Sequence, residues 1–174
     1  MEKLTLASYI ISDKRYSVRD LNKIDLSKFV NIEDVDHLDP SKIDPDYITG
    51  AIIMKYNDQT ILDYSEWDDL NYFWPYFIDS LDELLENNNS NFSFPSQALP
   101  VNMEIVKDRL IFQVGQHRLN MQASDFYEIV LAEADNFYKA LLELFPRFES
   151  EYNSELQKID QLINKSKVMF SKYG

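Results

Sequence analysis

The 174-residue chain sets 30 acidic residues against 17 lysines and arginines, a formal charge of −13, and has no cysteine and only three glycines. That charge argues against a nucleic-acid binder, which needs cations to neutralise phosphates. The missing cysteines remove disulfides, thiolate nucleophiles and cysteine zinc sites, and three glycines cannot build a Walker loop or a dinucleotide-binding turn.

Taken in chain order, residues 3–12 alternate and predict a strand rather than a signal peptide. A second strand is expected around Tyr16–Val18. Residues 19–46 are mixed, with turns at Asp39-Pro40 and Asp44-Pro45, because the residue before proline is pushed out of the helical region. Tyr47–Tyr56 and Gln59–Tyr64 form an expected hairpin around Asn57-Asp58. Ser65 is placed to cap a helix starting near Trp67, with Leu70, Phe73, Trp74, Phe77, Ile78, Leu81, Leu84 and Leu85 on one face. Pro75 inside that pattern predicts a kink or a break, and Asn87–Asn91 a solvated loop. Val101–Val106, Arg109–Val114 and His117–Gln122 read as a three-stranded meander joined by two-residue turns. Ser124 or Asp125 is expected to cap a helix carrying Phe126, Val130, Ala134, Phe137, Leu141, Leu144 and Phe145, which Pro146 stops. A last helix runs from about Phe148 to Lys172.

The expected fold is therefore one α+β domain over residues 1–174. Its antiparallel sheet is built from hairpins and the meander and is covered by three main helices. No stretch approaches the ~18 consecutive apolar residues of a membrane span. The expected location is the cytoplasm, with no membrane or nucleic-acid partner.

The charge is concentrated. Residues 33–100 hold 15 acids and two bases, a net −13 that equals the charge of the whole chain. Such an asymmetry is of the kind associated with a dedicated interaction surface, a solubilising face being the alternative. Within it, Glu33–Asp46 tempts as a cation loop. Counted as an EF-hand from Asp34, however, it puts Asp39 where glycine must make the turn and Pro45 where a glutamate must close the site. His37 and His117 fall in no zinc-ligand spacing, and no serine sits in a nucleophile motif. The expectation is no catalytic residue, no metal and no cofactor. A carboxylate- or metal-dependent hydrolase, centred on Asp34–Asp46 or His117, is the alternative, and an oligomeric structural or adaptor protein a third reading.

On the aromatic helix, Tyr72 and Tyr76 stand one turn apart, off the apolar stripe. Asp68, Asp69, Asp79, Asp82, Glu83 and Glu86 lie beside them. Rings that supply buried area, ringed by carboxylates that meet Lys and Arg, suit a protein interface. These eight residues are the expected contact surface of a protein partner, on a monomer or homodimer.

A small acidic α+β chain of this kind resembles the immunity proteins that bacteria make against their own polymorphic or contact-dependent toxins. The segment Trp67–Phe112 carries the resemblance, from the aromatic helix Trp67–Trp74 through Phe94-Pro95 to the strand pair Val101–Val106 and Arg109–Val114. The following strand and the Ser124–Phe145 helix extend it to about half the chain. It implies a non-enzymatic inhibitor that neutralises a cognate toxin by direct binding, a basic nuclease being one such target. These proteins are so diverse that it assigns no residue a role by position.

Overall fold

The computed structural model describes residues 3–19 and 23–173, and within them the N-terminal alternation becomes β1 (Leu4–Ile11). This strand lies between β2 (Phe29–Asn31) and β3 (Thr49–Tyr56), antiparallel to both. β3 turns through Asn57 and Asp58, at φ 48° and 66°, into β4 (Gln59–Leu62). Two left-handed residues in succession match the twist of a hairpin, and Asn and Asp tolerate that conformation better than most. The two-residue β5 (Asp68–Asp69) pairs with the start of β3.

A second, four-stranded sheet runs in sequence order through β6 (Asn89–Ser93), β7 (Pro100–Val106), β8 (Arg109–Val114) and β9 (His117–Gln122). The last three are the expected meander, joined at Lys107 and Gly115, which take φ 60° and 54°. Three helices complete the chain: α1 (Leu70–Asn87), α2 (Ala123–Leu144) and α3 (Glu149–Phe170). The protein is thus α+β, with antiparallel sheets and three main helices.

One cluster of buried side chains runs through both sheets and all three helices. Its centre is aromatic. Phe73, Trp74, Phe77, Phe112, Phe126 and Phe137 are fully buried, each stabilising the fold by roughly 1.5–3 kcal/mol through removal of apolar surface from water. A smaller cluster, Ile11, Val18, Phe29 and Ala51 with Trp67 and Tyr64 beside it, packs apart from this core.

Several local expectations fail for physical reasons. Residues 13–19 form no strand, and β1 finds its second partner in Phe29–Asn31; residues 20–22 of the mixed segment lie outside the described residues. The first helix starts at Leu70, not near Trp67. Asp63 caps a short turn over Tyr64–Glu66, and Trp67 packs with the small cluster. α1 is unbroken at Pro75, which sits in its second turn, where only the Asn71 carbonyl loses its donor. Asn87–Asn91 is no loop: Asn88 takes the left-handed conformation (φ 59°) that ends the helix, and the chain passes straight into β6. Inward-facing Ser90 there is satisfied by the Ser80 hydroxyl at 3.0 Å. Neither Ser124 nor Asp125 caps α2, which begins at Ala123 with Gln122 in the cap position.

α2 buries more than the expected stripe. Glu133 is among its buried residues and reaches β1 just past the end of β2, where the Ser8 N–H has no strand to meet. The Glu133 Oε1 accepts that N–H at 2.6 Å. Burial, the largest influence, raises the carboxyl pKa; the bonds from Ser8 and Asn136 oppose it, and nearby Glu33 adds to it. A folded pKa above the unfolded one contributes stability below the unfolded carboxylate range and loses it as pH rises through the folded value. Glu133→Gln keeps an acceptor for Ser8 and removes the charge. It is expected to gain roughly 1 kcal/mol at pH 7, about 2–4 °C in Tm, and to show no gain near pH 3. Thermal melts across pH check this; a gain that persists at pH 3 would exclude the ionised carboxylate as its cause.

Candidate protein-binding face

The apolar stripe of α1 faces the core, and its 3.6-residue period turns the remaining positions outward. Tyr72 and Tyr76 are 45% and 53% exposed. Tyr47, in the loop entering β3, is 58% exposed and its ring lies 6.2 Å from that of Tyr72. Asn71 holds this loop in place: its side-chain oxygen accepts from the Ile48 N–H and its amide donates to the Asp46 carbonyl, both at 3.0 Å. Three phenol rings from two segments therefore form one patch. Desolvation, then Tyr47 and the carboxylates of Asp46, Asp69 and Glu151, push the Tyr72 hydroxyl pKa up.

The expected acids divide into two groups. Asp79, Asp82, Glu83 and Glu86 are exposed on α1, as a contact surface requires. Lysines of α3 meet three of them. Lys165 Nζ donates to Asp82 at 2.6 Å and to Glu86 at 2.9 Å, and Lys158 Nζ lies 3.8 Å from Asp79. Exposed pairs of this kind are worth about 0–1 kcal/mol, so a competing partner cation can displace them. Lys158 and Lys165 are seven residues apart, two turns on one helix face, and that spacing was legible in the sequence.

Asp68 and Asp69 do different work. Asp68 is wholly buried, which removes it from any contact surface. Its carboxylate accepts the Asp69 N–H at 2.7 Å and the Ser96 N–H at 3.0 Å, fastening the β6–β7 loop to β5. Burial raises its pKa, against the pull of these hydrogen bonds. Half-buried Asp69 accepts from the Thr49 and Ser96 hydroxyls at 2.7 and 3.0 Å. What the sequence reading missed is the contribution of Tyr47, Asp46 and Glu151, which come to Tyr72 from elements far along the chain.

The acidic stretch Glu33–Asp46 is occupied with turns. Asp39 accepts from the Ser41 N–H at 3.0 Å, and Asp44 from the Asp46 N–H at 3.0 Å. His37 is exposed, and His117 is half-buried in β9. Among the described residues no three His, Asp or Glu side chains gather closely enough to hold a metal ion. No described helix is long and apolar enough to cross a membrane. No protein-family model matches the chain, and neither does any curated protein or solved structure.

Proposed function

We propose that the protein is a non-enzymatic binding protein that docks a basic protein partner on the face formed by Tyr47, Tyr72 and Tyr76. The immunity-type inhibitor of a cognate toxin is the form of this reading that the sequence resemblance supports. The observation that carries it is the tyrosine patch itself, with Asp46 and Glu151 beside Tyr72 and with Asp79 and Glu83 continuing the same face of α1 by helical spacing. Tyrosines present large amphipathic rings at low entropic cost, while surrounding carboxylates steer a cationic partner and hold it in register.

The test is capture of a partner with the tagged protein, followed by quantitative binding and growth assays. The expected partner is basic, arrests growth when expressed alone, and becomes harmless when this protein is co-expressed. Tyr72→Ala with Tyr76→Ala should weaken its binding by at least about tenfold, as loss of central aromatic anchors does. Protection should be lost in parallel. Unchanged binding by the double variant would move the interface elsewhere.

A further inference from the structure

The Tyr72 end of this face opens into a recess of about 140 Å³ where the 45–46 segment, α1, α2 and α3 meet. Its walls include four aromatic rings, those of Tyr72, Tyr138, Phe148 and Tyr152. The Tyr138 and Tyr152 centroids are 6.2 Å apart, and those of Phe148 and Tyr152 are 6.0 Å apart. The charged residues lining it are all acids: Asp46, Glu151 and Glu155. Pro75 lines it too and has no N–H to offer the carbonyl of Asn71, another lining residue.

Among the described residues, two of the side chains that line it each bury an oxygen with nothing to bond. Tyr138 is only 2% exposed and its hydroxyl has no partner; the Oε2 of Glu155 is buried in the same condition. The other oxygen of Glu155 is satisfied by Lys158 Nζ at 3.2 Å. Folded proteins leave few buried polar atoms unbonded, because each carries an uncompensated desolvation cost. Burial, then the charges of Glu155 and Glu151, push the Tyr138 hydroxyl pKa well above the ordinary phenol value. The phenol stays neutral, with oxygen lone pairs open to a donor. The neighbouring cations, Arg147 over the Phe148 ring at 4.9 Å and Lys158, do not line the recess.

We propose that this recess receives the ammonium group of a lysine side chain carried by the basic partner. The proposal rests on the docking-face reading only for the source of that lysine. Aromatic faces and carboxylates together select a cation. About 140 Å³ is room for several waters, enough for an ammonium and its methylene stem. It falls below the ~300 Å³ at which pockets for larger ligands begin. The three N–H donors of an ammonium suit oxygens on different elements, Tyr138 on α2 and Glu155 on α3, once rotation of those side chains uncovers them. The flat guanidinium fork of arginine is suited to a coplanar pair instead.

The test uses acetyl-Gly-Lys-Gly-amide, with norleucine and arginine in place of lysine as comparison peptides, at constant ionic strength. Aromatic NMR signals of Tyr138 and Tyr152 report occupancy. The lysine peptide is expected to give saturable shifts in the millimolar range, and the norleucine peptide none. Glu155→Gln, which preserves shape, should weaken the lysine peptide roughly tenfold. Tyr138→Phe, a second variant that keeps the ring, should weaken it severalfold with the remaining spectrum unchanged. An equal response to norleucine, a stronger one to arginine, or no saturable shift would overturn the proposal. If Tyr138 stays silent while the Tyr72 and Tyr76 variant still loses the partner, the recess fails and the docking face stands.

Discussion

Trp74→Ala is expected to destabilise the protein by about 3–5 kcal/mol, the usual cost of deleting a large aromatic side chain from a close-packed core. Trp74 has no exposed surface, stacks on Phe77 at 5.9 Å, meets Phe73 edge-on at 5.6 Å, and reaches Phe137 on α2 at 6.2 Å. It thereby joins α1 to α2 through the middle of the core. Its indole N–H, however, is buried without an acceptor among the described residues. An unpaired buried donor costs about 1–3 kcal/mol, so Trp74→Phe loses packing but recovers this desolvation. The phenylalanine variant should therefore lie much closer to the parent than to Trp74→Ala. Urea midpoints of the three proteins decide it. A Trp74→Phe loss of about 3 kcal/mol or more would mean that the indole nitrogen has a bonding partner in solution, since the lost packing would then come with a lost hydrogen bond.

The same aromatic density explains which parts of the fold the sequence made legible. Strands β7, β8 and β9 follow their alternation almost to the residue, because one face is buried and the turns are too short to shift register. The apolar stripes of α1 and α2 were legible for the matching reason, a period of 3.6 facing one core. The errors lie where a local signal met a distant partner. Trp67 looked like the first turn of a helix, yet β3 recruits Asp68 and Asp69 as a strand and defers the helix to Leu70. The asparagine run looked like a loop, yet pairing with β7 turns it into β6.

The candidate face divides along the same line. Tyr72 and Tyr76 followed from helical spacing alone. Tyr47 was hidden within a β-rich run, and its place beside Tyr72 depends on Asn71 gripping the loop backbone 23 and 25 residues away in sequence. Asp68 looked like one more surface acid, and its hold on the Ser96 N–H of the β6–β7 loop, 28 residues away, is what the sequence does not display. Charge counting locates an acidic segment. It cannot separate a carboxylate aimed at solvent from one that tethers a loop.

The positioning of that face depends on the β1–β3–β5 junction, and Gly50→Ala is expected to break it. Gly50 pairs with Ile10 of β1 on one side and with Asp68 of β5 on the other. A Cβ at this position would stand 2.0 Å from the Tyr9 carbonyl oxygen and 2.9 Å from Leu70 Cδ1. The oxygen belongs to the sheet backbone and has no rotamer to escape into, so a strand must move. Overpacking of core side chains costs about 1–3 kcal/mol, and an immovable backbone neighbour puts this case at or beyond the upper end. The displacement would fall on β5, whose Asp68 holds the β6–β7 loop, and on the start of α1, which carries Tyr72. Gly115→Ala supplies the contrast. Gly115 needs its left-handed φ of 54°, but an added Cβ would meet only Leu99 Cδ1, at an ordinary 3.8 Å. Its cost is the conformational one alone, about 1–2 kcal/mol. Gly50→Ala should thus be the less stable variant by chemical denaturation and the one that shifts the NMR signals of Tyr72. A Gly50→Ala protein as stable as Gly115→Ala would mean that β1 and β3 separate more easily at this end than their close approach implies.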